Sequence, residues 1–336
     1  MSAPLLSVRD LRVDFDLGRD GLFGPRRILQ AVAGVSFDLA AGETLGIVGE
    51  SGCGKSTLAR AILRLVPASG GSVNFDGTDL LALSAAKMRE QRRHLQIIFQ
   101  DPLASLDPRM TVREIIEEPL RALLPQIPKF ERHDRVRAMM QRVGLLPQQI
   151  NRYAHEFSGG QAQRIGIARA LVVKPKLIVC DEPVSSLDVS IKSQIINLLQ
   201  DLQQEMSLSL LFIAHDLASV RHISHRVLVL YLGRVMELAD RDALYTNPRH
   251  PYTRALLAAA PDLDPQRARA QPMEPLEGEP PSPINPPSGC VFRTRCPFAI
   301  DRCATEVPRL REVGRSHVAC HKAEEIFELC AKVAPE

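Results

Sequence analysis

The chain has 336 residues, 24% of them charged, and a formal net charge of +3. So mild a balance gives no general reason to expect a nucleic-acid partner, which counts against helicase-like machines. No stretch approaches the roughly eighteen uninterrupted apolar residues of a spanning helix, and Met1 to Phe15 has acidic residues and no signal-type apolar core. The expectation is a soluble, cytoplasmic protein, long enough for one large or two smaller domains.

From Leu5 to Gly49 the pattern is one of short strands and turns. Leu6–Arg9, Leu11–Phe15 and Val35–Leu39 alternate apolar and polar residues, and Ala41-Gly42-Glu43 is a turn. An antiparallel layer is therefore predicted ahead of the apolar run Thr44–Val48. Phe15 in that layer fits either the core or a stacking platform for a nucleobase. Next comes Gly49-Glu50-Ser51-Gly52-Cys53-Gly54-Lys55-Ser56-Thr57, followed by the helix-prone Leu58–Leu63. Strand, glycine loop, Lys-Ser and helix in this order form a P-loop. Its glycines let successive N–H groups turn inward around a phosphate chain at a helix N-terminus. Lys55 would reach the β- and γ-phosphates of a nucleoside triphosphate, and Ser56 would place its hydroxyl on Mg²⁺.

Beyond this loop, Gly70–Thr78 reads as a hairpin and Leu95–Phe99 as a buried strand ending at Gln100-Asp101-Pro102. Thr111 to about Gly144 is helical, with apolar residues three and four apart. Ser158-Gly159-Gly160-Gln161 opens a further helix and makes a second phosphate-binding shape. One nucleotide rarely needs two cradles from one chain, so the second is expected to serve the nucleotide of another chain. Lys176–Asp181 is a continuous apolar strand closed by a carboxylate, typical of a parallel strand buried on both faces. Strands are also predicted over Ser209–Ile213 and Arg226–Leu230, giving an α/β sheet whose ligands sit at the strands' carboxyl ends. Asp181 there suits an outer-shell grip on Mg²⁺, Glu182 is placed to polarise a water, and His215 could orient the same water.

In this order and spacing, the P-loop, the Gln100 loop, Phe157-Ser158-Gly159-Gly160-Gln161, the Asp181-Glu182 strand end, Ser185-Ser186-Leu187-Asp188 and His215 resemble the motif set of an ATP-binding cassette (ABC) ATPase, from about Leu5 to Ala258. The resemblance implies an α/β P-loop NTPase fold of ABC type: a RecA-like parallel sheet core, an antiparallel β subdomain, and a helical subdomain over about 101–172. It implies ATP held by Gly49, Glu50, Ser51, Gly52, Cys53, Gly54, Lys55, Ser56 and Thr57, with Phe15 stacked on adenine. Mg²⁺ would be held through Ser56, Gln100 and Asp181, and catalysis would fall to Glu182, His215 and Gln100. Two cassettes would form a head-to-tail sandwich in which Ser158, Gly159, Gly160, Gln161 and Asp188 close on the ATP of the other chain.

The chain has a single cassette, no fused membrane helices and no coiled coil, which points to a separate ATPase subunit of a multi-chain importer. Asn247–Leu257 and Gly278–Cys290 resemble the C-terminal extension of oligopeptide, dipeptide and nickel importer ATPases, whose hallmark is a His-Pro-Tyr run. Physically that run, His250-Pro251-Tyr252, reads only as a turn after a helix. The resemblance implies two permease subunits, a second and non-identical ATPase chain, a periplasmic binding protein, and work at the cytoplasmic face of the inner membrane. Nickel, glutathione or antimicrobial peptides are alternative cargoes. A soluble ABC regulator with a metal- or redox-sensing tail is the alternative from another class.

The organisation expected is a cassette over 1–258, a proline-rich linker over 259–289 and a cysteine-rich module with a terminal helix over 290–336. Pro261 to Ser288 holds nine of the chain's 25 prolines, a composition that resists regular structure. Cys290, Cys296, Cys303 and Cys320 then fall within 31 residues, on a segment too small to own a core, which suggests a metal supplying folding energy. Zinc favours Cys-x-x-Cys knuckles, and there are none here. Wider loops suit a [4Fe–4S] cluster, whose anionic charge the six arginines against three acids of residues 290–320 would help to hold. The importer ATPases resembled are associated with such a cluster, so it is favoured over zinc. Cys53 and Cys180 are expected to be buried packers, and Cys330 to lie on the apolar side of a last helix, Ala323 to Val333.

Overall fold

The apolar runs that end in glycines or carboxylates become parallel strands. The computed structural model describes residues 3–19, 24, 26–259 and 278–326, which fall into two units.

One unit comprises Met1–Leu6, Asp38–Thr44 and Asn74–Ala214. Strands Leu95–Ile98, Leu177–Asp181 and Ser209–Ile213 run parallel in that order, with Ile98 opposite Cys180 and Asp181 opposite Ile213. The last two are buried at every residue, as helices on both faces require. The helical stretch resolves into Val112–Leu123 and Lys129–Arg142. Thr111 starts the first of these with a capping box: it accepts from the Glu114 N–H, and the Glu114 carboxylate accepts the Thr111 N–H at 2.8 Å. A largely buried pair, Arg132 to Glu117 at 2.9 Å, ties the two helices together. Helix Gly159–Leu171 carries Arg169, whose guanidinium donates to the Ser105 carbonyl at 2.6 Å and so fixes the segment that follows Gln100.

The other unit comprises Ser7–Phe37, Leu45–Val73 and His215–Glu336. Strand Thr44–Val48 is fully buried and lies parallel to Arg226–Tyr231, which pairs antiparallel with Arg234–Asp240. Strands Ser316–Val318 and Arg311–Val313 extend this sheet, with Glu237 opposite Val318. The cysteine-rich segment thus adds its own strands to the sheet edge beside the P-loop strand's neighbours. The predicted short strands Leu6–Arg9 and Leu11–Phe15 are one strand, Leu6–Arg19. Asp10 takes a positive φ of 45°, and the buried series shifts phase there, from Leu6 and Val8 to Leu11 and Val13. An extra residue of this kind moves the alternation without ending the strand. Residues 278–288 contain no helix or strand, and residues 323–326 are helical. The remainder of the proline-rich stretch, the end of the predicted terminal helix and Cys330 lie outside the described residues.

The His-Pro-Tyr run follows helix Arg241–Thr246, as expected, but it starts a new helix in place of the predicted turn. Helix Pro251–Ala258 starts with Pro at its first position, and the His250 ring accepts the Tyr252 N–H at 3.0 Å. His250 is 1% exposed, and burial drives its pKa down from 6.5 to about 3 against an opposing bond to the Ala319 carbonyl. The unfolded chain therefore binds a proton that the folded chain refuses. Stability is full above about pH 6.5 and falls as the pH drops toward 3. His250→Asn keeps a capping acceptor without titrating. Between pH 7.5 and 5 the variant should lose about 2 kcal/mol less stability than the parent, read by urea unfolding of the full chain.

Candidate functional site

The P-loop lies wholly in the second unit. Gly49 ends the buried strand where a Cβ would come within 2.1 Å of the Leu230 carbonyl oxygen and 2.7 Å of the Cys53 sulfur. Gly54 has φ 104°, and a Cβ there would meet the Ala31 carbonyl oxygen at 2.1 Å. Both positions accept only glycine. Helix Lys55–Ile62 begins immediately after, with Ser56 and Thr57 half-buried in its first turn. Lys55 is 4% exposed, and its ammonium donates to the carbonyls of Gly49 at 2.8 Å and Glu50 at 2.9 Å. Cys53 is buried, and burial pushes its thiol up despite Lys55 beside it. Phe15 is half-buried on the strand Leu6–Arg19, and His215 is exposed after the strand Ser209–Ile213.

In the first unit, Asp181 is 1% exposed at the end of its strand. Glu182 has a φ of 50°, a rare conformation for a non-glycine residue. It is fixed there by its N–H to the Ile213 carbonyl at 3.0 Å and by the Ser185 hydroxyl on its own carbonyl at 3.1 Å. The turn brings two predicted residues together: the Gln100 amide donates to the Glu182 carboxylate at 3.2 Å. Ser158 caps helix Gly159–Leu171 in a capping box with Gln161. Asp188 caps helix Val189–Met206 through the Ile191 N–H at 2.9 Å, a bond that holds its carboxyl below the usual range. A Cβ at Gly160 would come within 2.5 Å of Ile191, and one at Gly159 within 3.5 Å of Leu187. The two helix N-termini are therefore packed side by side, and their positive dipole ends add.

Cys290, Cys296, Cys303 and Cys320 all belong to the second unit. The Cys290 N–H donates to the Cys303 carbonyl at 2.8 Å. Burial pushes the thiols of Cys290, Cys296 and Cys320 up, that of Cys296 to about 12 and that of Cys320 to about 11, and each is raised further by the charges of other cysteines. Backbone N–H groups oppose this, from Phe292 on Cys290, Phe298 on Cys296 and Lys322 on Cys320. Among the described residues, all six cysteines are free thiols, and no three His, Cys, Asp or Glu side chains form a group that could hold a metal ion. Phe292, 1% exposed, anchors the segment by packing on Tyr231, Tyr252 and His250 at ring separations of 5.4, 5.3 and 5.8 Å. Such aromatic contacts add about 0.5–1.5 kcal/mol each beyond burial.

Comparison with known proteins accounts for this set of motifs. The model of the ABC transporter family matches residues 32–185, and that of the oligopeptide/dipeptide transporter C-terminal region matches residues 236–303. The chain is 60% identical to the oligopeptide transport ATP-binding protein OppF of Salmonella typhimurium, over 95% of this chain and 96% of that one. This chain belongs to the ABC transporter ATPase family. A putative peptide import ATP-binding protein of Brucella ovis is 56% identical, over 94% of this chain and 96% of its own length. Among solved structures, the ATP-binding cassette MJ0796 in a dimeric post-hydrolysis state with ADP and Pi is 27% identical, with a TM-score of 0.62, 70% of this chain covered and 98% of that one. CbiO1 from Clostridium perfringens, part of the ABC transporter complex cbiONQ, is 26% identical with a TM-score of 0.63, 73% and 92% covered. The ABC ATPase fold and ATP hydrolysis thus belong to this chain. No helix among its described residues is long and apolar enough to cross a membrane.

For this ABC ATPase, sequence reasoning missed two residues at the P-loop. The Tyr252 hydroxyl accepts the Glu50 N–H at 2.9 Å, and the Arg295 guanidinium grips the Glu50 carboxylate at 2.9 and 3.0 Å. Tyr252 carried a signal in the His-Pro-Tyr run. Arg295 carried none beyond its place among the cysteines.

Proposed function

We propose that the chain is the ATP-hydrolysing subunit of an importer that drives di- and oligopeptide uptake from the cytoplasmic face of the inner membrane. Its identity to peptide-transport ATP-binding proteins along nearly its whole length carries this reading. Residues 1–258 form the cassette, 259–289 the link and 290–336 the extension. An importer ATPase works with transmembrane permease subunits; here two of them, a second, non-identical cassette chain and a periplasmic binding protein complete the machine. The Lys55 loop holds the phosphates of ATP and Phe15 stacks on the adenine, while Ser56, Gln100 and Asp181 hold Mg²⁺. Glu182 polarises the attacking water, with Gln100 and His215 orienting it. The paired helix N-termini at Ser158 and Asp188 close on the γ-phosphate carried by the other cassette. Purification from membranes tests this: the chain should bring two permeases and a second cassette, and its ATPase should rise when peptide-loaded binding protein is added to vesicles. A chain that copurifies alone or with nucleic acid overturns it.

The same reading assigns Cys290, Cys296, Cys303 and Cys320 to a [4Fe–4S] cluster in preference to zinc. Support comes from the placement of four cysteines within one short segment, where the Cys290 N–H meets the Cys303 carbonyl, and from the backbone N–H groups that meet three of the sulfurs. Such bonds favour the thiolates that a cluster needs. Bound there, the cluster would cross-link a segment with little core of its own. Anaerobic purification should yield a brown protein with about four irons and four sulfides per chain. A colourless protein with one zinc overturns the assignment.

A further inference from the structure

Three groups of the second unit converge on Glu50, the residue after the first loop glycine. Tyr252 takes its N–H, Lys55 its carbonyl and Arg295 its carboxylate, the last through one guanidinium nitrogen at 2.9 and 3.0 Å from the two oxygens. The Arg295 side chain is 5% exposed and that of Glu50 22%, so solvent screens this pair far less than a surface bridge. The same guanidinium nitrogen also donates to the Tyr231 hydroxyl at 3.4 Å. Ahead of the extension, the proline-rich Glu279–Pro283 and the loop residues Glu50–Cys53 line a common cleft of about 460 Å³. One stretch of the link and one of the extension therefore flank the loop.

A carboxylate inside a phosphate-binding loop opposes its own ligand unless it is neutralised. A unit negative charge several ångströms from a polyphosphate, in a partly enclosed site, weakens binding by about tenfold. We propose that Arg295, carried by the cysteine-rich extension, is a positioning residue for the nucleotide loop that cancels the Glu50 charge and fixes the loop for ATP. Glu50 is thereby held at all three of its polar groups, and two of the three holds come from residues at or beyond the His-Pro-Tyr run. The extension becomes a working part of the ATP site.

This rests on the reading of the Lys55 loop as the ATP loop, and the experiment separates the two. ATP affinity is measured on the purified full chain by equilibrium binding of a fluorescent ATP analogue. Lys55→Ala tests the loop itself and should abolish binding; unaltered binding overturns the loop reading. Arg295→Met keeps the buried stem and removes the charge. It should weaken ATP about tenfold, raise the KM of the assembled complex by a like factor and leave kcat nearly unchanged. The deficit should shrink in 0.5 M salt. Arg295→Lys should stay near the parent, and Glu50→Gln combined with Arg295→Met should recover most of the lost affinity. Parent-like affinity in Arg295→Met overturns the proposal. So does a double variant as weak as Arg295→Met, because a merely structural role is not rescued by removing the carboxylate. Should Arg295→Met fail to fold, the comparison of Arg295→Gln with and without Glu50→Gln decides in the same way.

Discussion

Glu182→Gln is expected to leave ATP binding intact while turnover of the assembled transporter falls by about 10² to 10³-fold. The substitution is selective because the local geometry survives it. The backbone at 182 is held at φ 50° by the Ile213 carbonyl and the Ser185 hydroxyl, neither of which involves the carboxylate. The Gln100 amide, which now donates to Glu182 at 3.2 Å, would find an acceptor in the new amide oxygen. What disappears is the negative charge that can draw a proton from water. A loss of binding along with turnover would point to a structural role, and turnover near that of the parent would remove Glu182 from the catalytic assignment. The measurements are phosphate release by the reconstituted complex and ATP affinity of the same preparation.

The parts of the fold that were legible in the sequence are those with one dominant physical cause. Thr44–Val48, Leu177–Asp181 and Ser209–Ile213 are buried on both faces, so their sequences are unbroken apolar runs, and each ends where the backbone must turn. Ser158 was legible as a helix start because Ser-Gly-Gly-Gln is a small glycine turn ahead of an apolar run, and the capping box with Gln161 is what the structure adds. The strand Leu6–Arg19 was legible only in pieces, since the phase shift at Asp10 hides its continuity from any test of alternation. Arg311–Val313 and Ser316–Val318 are three residues each, too short for a period to register; the second pairs with the sheet edge at Glu237–Ala239 and the first pairs with the second. At the site, the chemistry of the loop could be read locally, but its support could not. Glu50 and Arg295 are 245 residues apart, and nothing about an arginine beside a cysteine names the carboxylate it will meet.

Ser158→Asp should separate the helix cap from the proposed contact with the other chain's nucleotide. Ser158 is exposed at the N-terminus of helix Gly159–Leu171, where its hydroxyl accepts the Gln161 N–H and the Gln161 amide oxygen accepts the Ser158 N–H at 3.1 Å. Aspartate caps as well as serine, so the unfolding free energy of the chain should change by less than about 0.5 kcal/mol. Its own P-loop is untouched, and ATP affinity of the separate chain should match the parent. In the assembled pair of cassettes, however, the new carboxylate would stand where a γ-phosphate is to be bound, against the dipole ends that were there to receive it. Hydrolysis should fall by about a hundredfold or more, at least the loss that follows removal of one anion-stabilising donor from a closed site. Stability and binding that stay put while turnover collapses would place the lesion between chains. Unchanged turnover would mean that Ser158 is a helix cap and nothing else, and the paired N-termini of Ser158 and Asp188 would lose their role in closing the site.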